Sequence, residues 1–218
     1  MTVHSLPHPG EADEDAGQLG RTASGRVKML LVLLVCAAPV IASYFTYFVI
    51  RPEGRSNYGS LILPTRSLPA ALPLATLDGK PVAAGSLKGQ WLLVVVGAGG
   101  CDAACEQRLY QQRQLREMLG RERDRLDKVW FVTDAAPPKP ELLRGIDGPG
   151  MQVLRADAAA LAGWLAPEAG QPLEAHLYVV DPMGEWMMRM PANAEPQRVK
   201  RDLDRLLRAS GFWDQPGR

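Results

Sequence analysis

Cys101-Asp-Ala-Ala-Cys105 carries the chemistry most readily read from this chain. The two thiols follow an apolar run, Leu92 to Val96, and a glycine-rich corner, Gly97-Ala-Gly-Gly100. A buried strand that breaks at such a corner into a helix presents its side chains at the strand's carboxyl end, where open α/β sheets place their chemistry. The expectation is thiols at a mouth rather than in a core. On a regular helix, residues four apart share a face with Cβ atoms about 5–6 Å apart, whereas a relaxed disulfide wants about 3.5–4.5 Å. A disulfide at this spacing therefore requires a distorted loop or first turn. Two thiolates can more easily hold one soft ion, and copper(I) is the ion that such ligands select. A helix N-terminus beside both would favour the thiolate, with Asp102 working against it.

The other candidates are sparser. His176 precedes an apolar run, and Met183, Met187, Met188 and Met190 cluster near it. Thioether sulfur suits copper(I), but Met also fills irregular core gaps, and the core reading is the stronger one. His4 and His8 lie in a polar tail, acidic from Glu11 to Asp15, and such a pair in an unstructured segment usually binds nothing specific. Ser-His-Asp sets, phosphate loops and H-E-x-x-H zinc motifs are missing from the sequence, which leaves hydrolase and kinase readings without a starting point. A formal net charge of +1, with acids and bases interspersed, gives no reason to expect nucleic acid.

Several elements must position these residues. From Met29 to Ile50 the chain runs without a charged residue for 22 positions, enough at 1.5 Å per residue to cross a hydrocarbon core about 30 Å thick. Tyr44, Tyr47 and Phe48 suit an interfacial belt, and Cys36 falls inside the span as a packing residue. Arg21, Arg26 and Lys28 before the span outweigh Arg51 and Arg55 after it. By the positive-inside rule the C-terminal part then faces the periplasm of a bacterial inner membrane. The expected organisation is a disordered polar tail over residues 1–28, a transmembrane helix over 29–50, a linker over 51–69 and one domain over 70–213.

Within that domain, Asp78-Gly79 marks a hairpin turn and Trp91 to Val96 a buried strand. A polar helix runs from Cys105 to about Leu126, with Gly120 a point where it can end or bend, and Lys128 to Thr133 is the next strand, closed by Asp134 and a proline-rich loop. Met151 to Leu154 is a short strand, and Asp157 caps an alanine-rich helix. His176 to Val180 is a late strand that turns at Asp181-Pro-Met-Gly184 into Glu185 to Met190, and Pro196 begins the last helix. Phe212 and Trp213 are read as packing residues. Alternating strands and helices closed by a hairpin and a terminal helix describe an α/β thioredoxin-like sandwich, a central mixed sheet flanked by helices.

Several stretches together resemble the Sco/SenC proteins. They are Asp78-Gly-Lys-Pro-Val, Leu87-Lys-Gly-Gln-Trp-Leu-Leu, the Cys101 to Cys105 spacing, Phe131-Val-Thr-Asp134 and Tyr178-Val-Val-Asp-Pro-Met-Gly184. The resemblance implies a membrane-anchored factor that handles copper, or reduces thiols, while the copper site of cytochrome c oxidase is assembled. It implies Cys101 and Cys105 as redox and metal residues, copper as cargo, and the copper-bearing oxidase subunit as partner. Two departures matter. The prolines usual after each thiol are replaced by Asp102 and Glu106, and the usual third ligand, a His before the late strand, aligns with Leu173. His176 is then the candidate third ligand, displaced by three residues. The alternatives are a metal-independent thiol:disulfide oxidoreductase and a redox-inactive docking protein.

Overall fold

The computed structural model describes residues 11–50 and 57–212. The chain divides into two compact units, Met1–Arg55 and Ser56–Arg218.

The first unit is one helix, α1 (Glu11–Phe45), continued by a wider turn over Thr46–Ile50. Its segment Gly25–Val49 has a mean hydropathy of 2.2 and is long and apolar enough to cross a membrane. The helix starts earlier than the polar tail suggested. Residues 11–26 include Ala, Glu and Arg, good helix formers, and a helix nucleated in the apolar run extends backwards through them despite three glycines. The remainder of the expected tail, His4 and His8 included, lies outside the described residues. Cys36 is a free thiol on the surface of this helix.

The second unit is built on an eight-stranded mixed sheet. Its central strand is β4 (Trp91–Gly97), in which every residue is buried. Parallel to β4 runs β5 (Leu126–Val132), from Trp91 opposite Leu126 to Gly97 opposite Val132, and β6 (Met151–Ala156) continues the parallel set. On the other side of β4, β7 (Leu177–Val180) pairs antiparallel with Leu92 opposite Val180, and β8 (Glu185–Arg189) follows it. The short hairpin β2 (Leu74–Ala75) and β3 (Pro81–Val82), with Gly79 at φ +83°, extends the far edge beyond β6.

Alternation along β4 splits the core in two. Leu93 and Val95 face α2 (Ala103–Met118) and α5 (Pro196–Ala209), whose Leu109, Leu115, Val199, Leu203 and Leu207 are buried there. Leu92, Val94 and Val96 face the side covered by Leu161 and Trp164 of α4 (Ala158–Trp164). A strand buried on both faces must be apolar throughout, which is why Trp91 to Val96 reads as an unbroken run. Each fully buried Leu or Val contributes about 1.5–3 kcal/mol against exposure. Gln112 pins α2 to the sheet: its buried amide donates to the carbonyls of Leu93 at 2.6 Å and Val129 at 3.0 Å. This is the thioredoxin-like architecture expected from the element order.

Three elements differ from the sequence reading. Residues expected in the linker form an edge strand, β1 (Ser60–Ser67), against β8, with a register shift between Leu61 and Arg66. Proline is tolerated at a sheet edge and at bulges, and Pro64 sits in that irregular stretch. The proline-rich loop contains a helix, α3 (Pro140–Ile146), with Pro140 in its first turn, where the missing N–H is no loss. The helix after Cys105 stops at Met118, and Gly120 at φ +59° starts a separate turn over Gly120–Arg125. Phe212 is fully exposed rather than packed, and Trp213 lies outside the described residues.

Candidate functional site

The corner after β4 is shaped by glycines. A Cβ on Gly99 would collide with the Ala136 carbonyl oxygen, so only glycine permits this approach of the two loops. The Gly99 N–H donates to Asp134 Oδ1 at 2.8 Å, which ties the corner to the segment after β5. The chain then turns through Cys101, a non-glycine residue at φ +36°, with its N–H bonded to Ala98 O at 3.1 Å. Asp102 is the N-cap of α2, and its carboxylate accepts the Cys105 N–H at 2.8 Å.

This geometry decides the pairing. Cys101 precedes the cap and Cys105 lies in the first helical turn, so the two do not stand on a regular helix face. Their Cα atoms are 5.3 Å apart and the sulfurs form a disulfide. The distortion that the spacing required is supplied by the turn at Cys101. The sequence preference for a soft ion between separate thiolates gives way to a covalent pair in this state.

Both cysteines are only 2–4% exposed. They nevertheless line a cavity of about 580 Å³ together with Gly97, Ala98, Arg108, Lys139 and Glu174 among others. The disulfide thus forms the inner wall of a mouth and also touches the core face of α2. Lys139, the residue before α3, donates to Glu106 Oε1 at 2.7 Å and to the Cys101 carbonyl at 3.3 Å. Behind the pair, a point beside Gly97 lies 3.2 Å from Cys105 Sγ and 3.6 Å from Trp130 Nε1, an indole N–H that is buried without a hydrogen-bond partner.

His176 is placed elsewhere. It is fully buried; its Nε2 accepts the Glu168 N–H at 3.2 Å, which leaves Nδ1–H to donate to Met190 O at 2.9 Å. Burial lowers its proton affinity, and the backbone partners hold the neutral ring in one tautomer. With both nitrogens committed to backbone, it offers no lone pair to a metal in this arrangement, and it is not among the residues lining the cavity. In this arrangement His176, expected as third ligand, is held by backbone partners away from the cysteine pair. The position aligned with the usual ligand, Leu173, accepts the Tyr178 hydroxyl at its carbonyl, while its neighbour Glu174 lines the cavity. Met188 and Met190 are buried in the α2-side core and Met183 is exposed, so the methionine cluster is a packing feature. Among the described residues, no group of three or more His, Cys, Asp or Glu is placed to hold a metal ion. With both sulfurs joined in a disulfide, neither is a thiolate that copper(I) can take in this state.

Arg108, Lys139, Glu174 and Asp134 were not singled out by sequence as site residues. For Arg108 a signal existed: it follows Cys105 by three residues and shares its helix face.

Residues 91–210 match the family described as transmembrane-like, thioredoxin-like, C-terminal domain. The chain belongs to this transmembrane-like, thioredoxin-like family. No curated protein matches it. Among solved structures, yeast Sco1 with copper bound is similar at 15% identity and a TM-score of 0.52, covering 72% of this chain and 96% of that one. The solution structure of apo Sco1 from Thermus thermophilus is similar at 17% identity and a TM-score of 0.52, covering 72% and 98%. BsSco, described with a disulfide switch as a member of the Sco family of cytochrome c oxidase assembly proteins, has 16% identity and a TM-score of 0.52 over 69% and 96%. At these identities the likeness is one of fold, and this member of the transmembrane-like, thioredoxin-like family has Sco/SenC proteins as its structural neighbours.

Proposed function

We propose that the protein is a membrane-tethered, Sco-like thiol:disulfide exchange factor working through Cys101 and Cys105. The observation that carries this reading is the disulfide at the start of α2, lining an open cavity. In the oxidised state, one thiolate of a partner dithiol attacks a sulfur of the pair and breaks the Cys101–Cys105 bond, giving a mixed disulfide. The partner's second thiolate resolves it, the partner leaves as a disulfide, and the two protons from its thiols go to Cys101 and Cys105. The reverse reaction reduces a partner disulfide. The partner we assign is the copper-bearing subunit of cytochrome c oxidase, whose ligand cysteines must be reduced before they bind metal. The charge bias around the apolar span supports a periplasmic position for the exchange domain.

A second reading, copper(I) transfer, draws on the copper-bound yeast Sco1 of similar fold. In the reduced state two thiolates are soft donors suited to copper(I). The commitment of His176 to backbone partners argues against a three-ligand site.

The test uses the full chain in detergent micelles, reduced, beside the Cys101→Ser/Cys105→Ser double variant and His176→Ala. Exchange with a disulfide-bearing peptide, without retained copper(I), is the expected result. One tightly held copper(I) that depends on both cysteines would replace this reading with copper transfer. Neither exchange nor copper would leave a redox-inactive docking protein.

A further inference from the structure

Arg108 is the charged group of the cavity that the exchange chemistry leaves unused. It projects from the face of α2 that carries Cys105, one turn on, and both residues line the same cavity. Its Nε is buried and lacks a hydrogen-bond partner, and the side chain makes no ion pair among the described residues. The other charges around it are engaged. Asp102 caps α2, Asp134 accepts from Gly99, and Glu106 is paired with Lys139. Glu174 is the remaining acid of the lining, and it is not bonded to Arg108.

Arg108 lines the cavity without an acidic partner among the described residues, so a ligand carboxylate there can bond its guanidinium. Guanidinium matches carboxylate with two parallel N–H···O bonds, a geometry that Lys cannot reproduce. A cavity of about 580 Å³ is large enough for a few residues of an extended chain. We propose that Arg108 is a carboxylate subsite, so that the segment exchanged at Cys101–Cys105 is a cysteine peptide with an acidic residue beside its thiol. This rests on the exchange reading for the reaction at the disulfide. The subsite itself is a binding claim that can be read without electron transfer.

The experiment uses the full-length protein in detergent micelles with its disulfide intact. Three short fluorescent peptides carry serine in place of cysteine, flanked by Glu, Gln or Lys, and anisotropy reads binding. The expected result is a preference of about tenfold or more for the Glu peptide. Arg108→Gln abolishes the preference, Arg108→Lys retains part of it, and Arg108→Glu turns it toward a Lys-flanked peptide. No preference in the unaltered protein, or a preference that survives Arg108→Gln, overturns the proposal. Cysteine-bearing versions of the peptides read exchange separately. Arg108-dependent binding without exchange would keep the subsite and remove the exchange reading, and exchange without an acidic preference would do the opposite.

Discussion

Asp102 holds two roles that can be separated by two substitutions. Its carboxylate accepts the Cys105 N–H at 2.8 Å as the N-cap of α2, and it also places a negative charge beside the cysteine pair. Asp102→Ala removes both, whereas Asp102→Asn keeps a capping oxygen and removes the charge. Loss of an N-cap costs about 1 kcal/mol, while Asn and Asp cap about equally well. For a chain of this size, about 1 kcal/mol corresponds to a fall of about 2–4 °C in Tm. Tm of the oxidised full chain in detergent micelles is therefore expected to drop by that amount in Asp102→Ala and hardly at all in Asp102→Asn. The redox equilibrium against dithiothreitol behaves differently. Removing a negative charge next to a nascent thiolate favours the reduced state, so both variants are expected to be reduced at weaker reductant than the unaltered protein. Equal destabilisation by Asn and Ala would refute the capping argument. An unchanged redox equilibrium in both would refute the electrostatic one.

Gly99→Ala is expected to lower the urea midpoint by the equivalent of about 1–3 kcal/mol, because its Cβ would collide with a backbone carbonyl rather than a movable side chain. Gly100→Ala, where a Cβ meets nothing within 4 Å, serves as the control and should leave the midpoint nearly unchanged. For His176, burial holds the folded-state proton affinity below the ordinary value of 6.5. The unfolded chain then binds more protons below about pH 6.5, and stability falls as pH drops from there toward the lowered folded value, by at most about 1.4 kcal/mol per pH unit. Burial raises the proton affinity of Asp181, which acts with the opposite sign at more acid pH. The prediction is accordingly read as the difference between the unaltered protein and His176→Gln in urea unfolding from pH 7.5 to 5. No pH-dependent difference would show that the ring is not held neutral.

The elements visible in sequence are those set by local chemistry. The apolar run of β4, the Asp157 cap of α4, the Gly79 turn and Pro196 at the start of α5 each depend on a few neighbouring residues. What was not visible depends on distant partners. β1 exists because β8, more than a hundred residues later, offers it an edge, and its own proline hides it. The same holds at the site. The spacing of Cys101 and Cys105 and their place at a helix start were readable, but the turn at Cys101 that lets the sulfurs bond was not, since non-glycine residues seldom adopt positive φ. His176 could be read as a ligand only because its two backbone partners, at Glu168 and Met190, are tertiary contacts. Lys139 reaches the site from the position before α3, a helix concealed by the prolines around its start.

The central claim is that Cys101 and Cys105 cycle as one two-electron couple. Its most direct test equilibrates the full-length Cys36→Ala protein, in micelles, with dithiol/disulfide buffers of graded ratio, then counts alkylated thiols by mass. The account predicts a single transition in which two thiols appear together, absent from the Cys101→Ala/Cys105→Ala variant. Thiols that stay free at every buffer ratio, or that titrate separately, would contradict it.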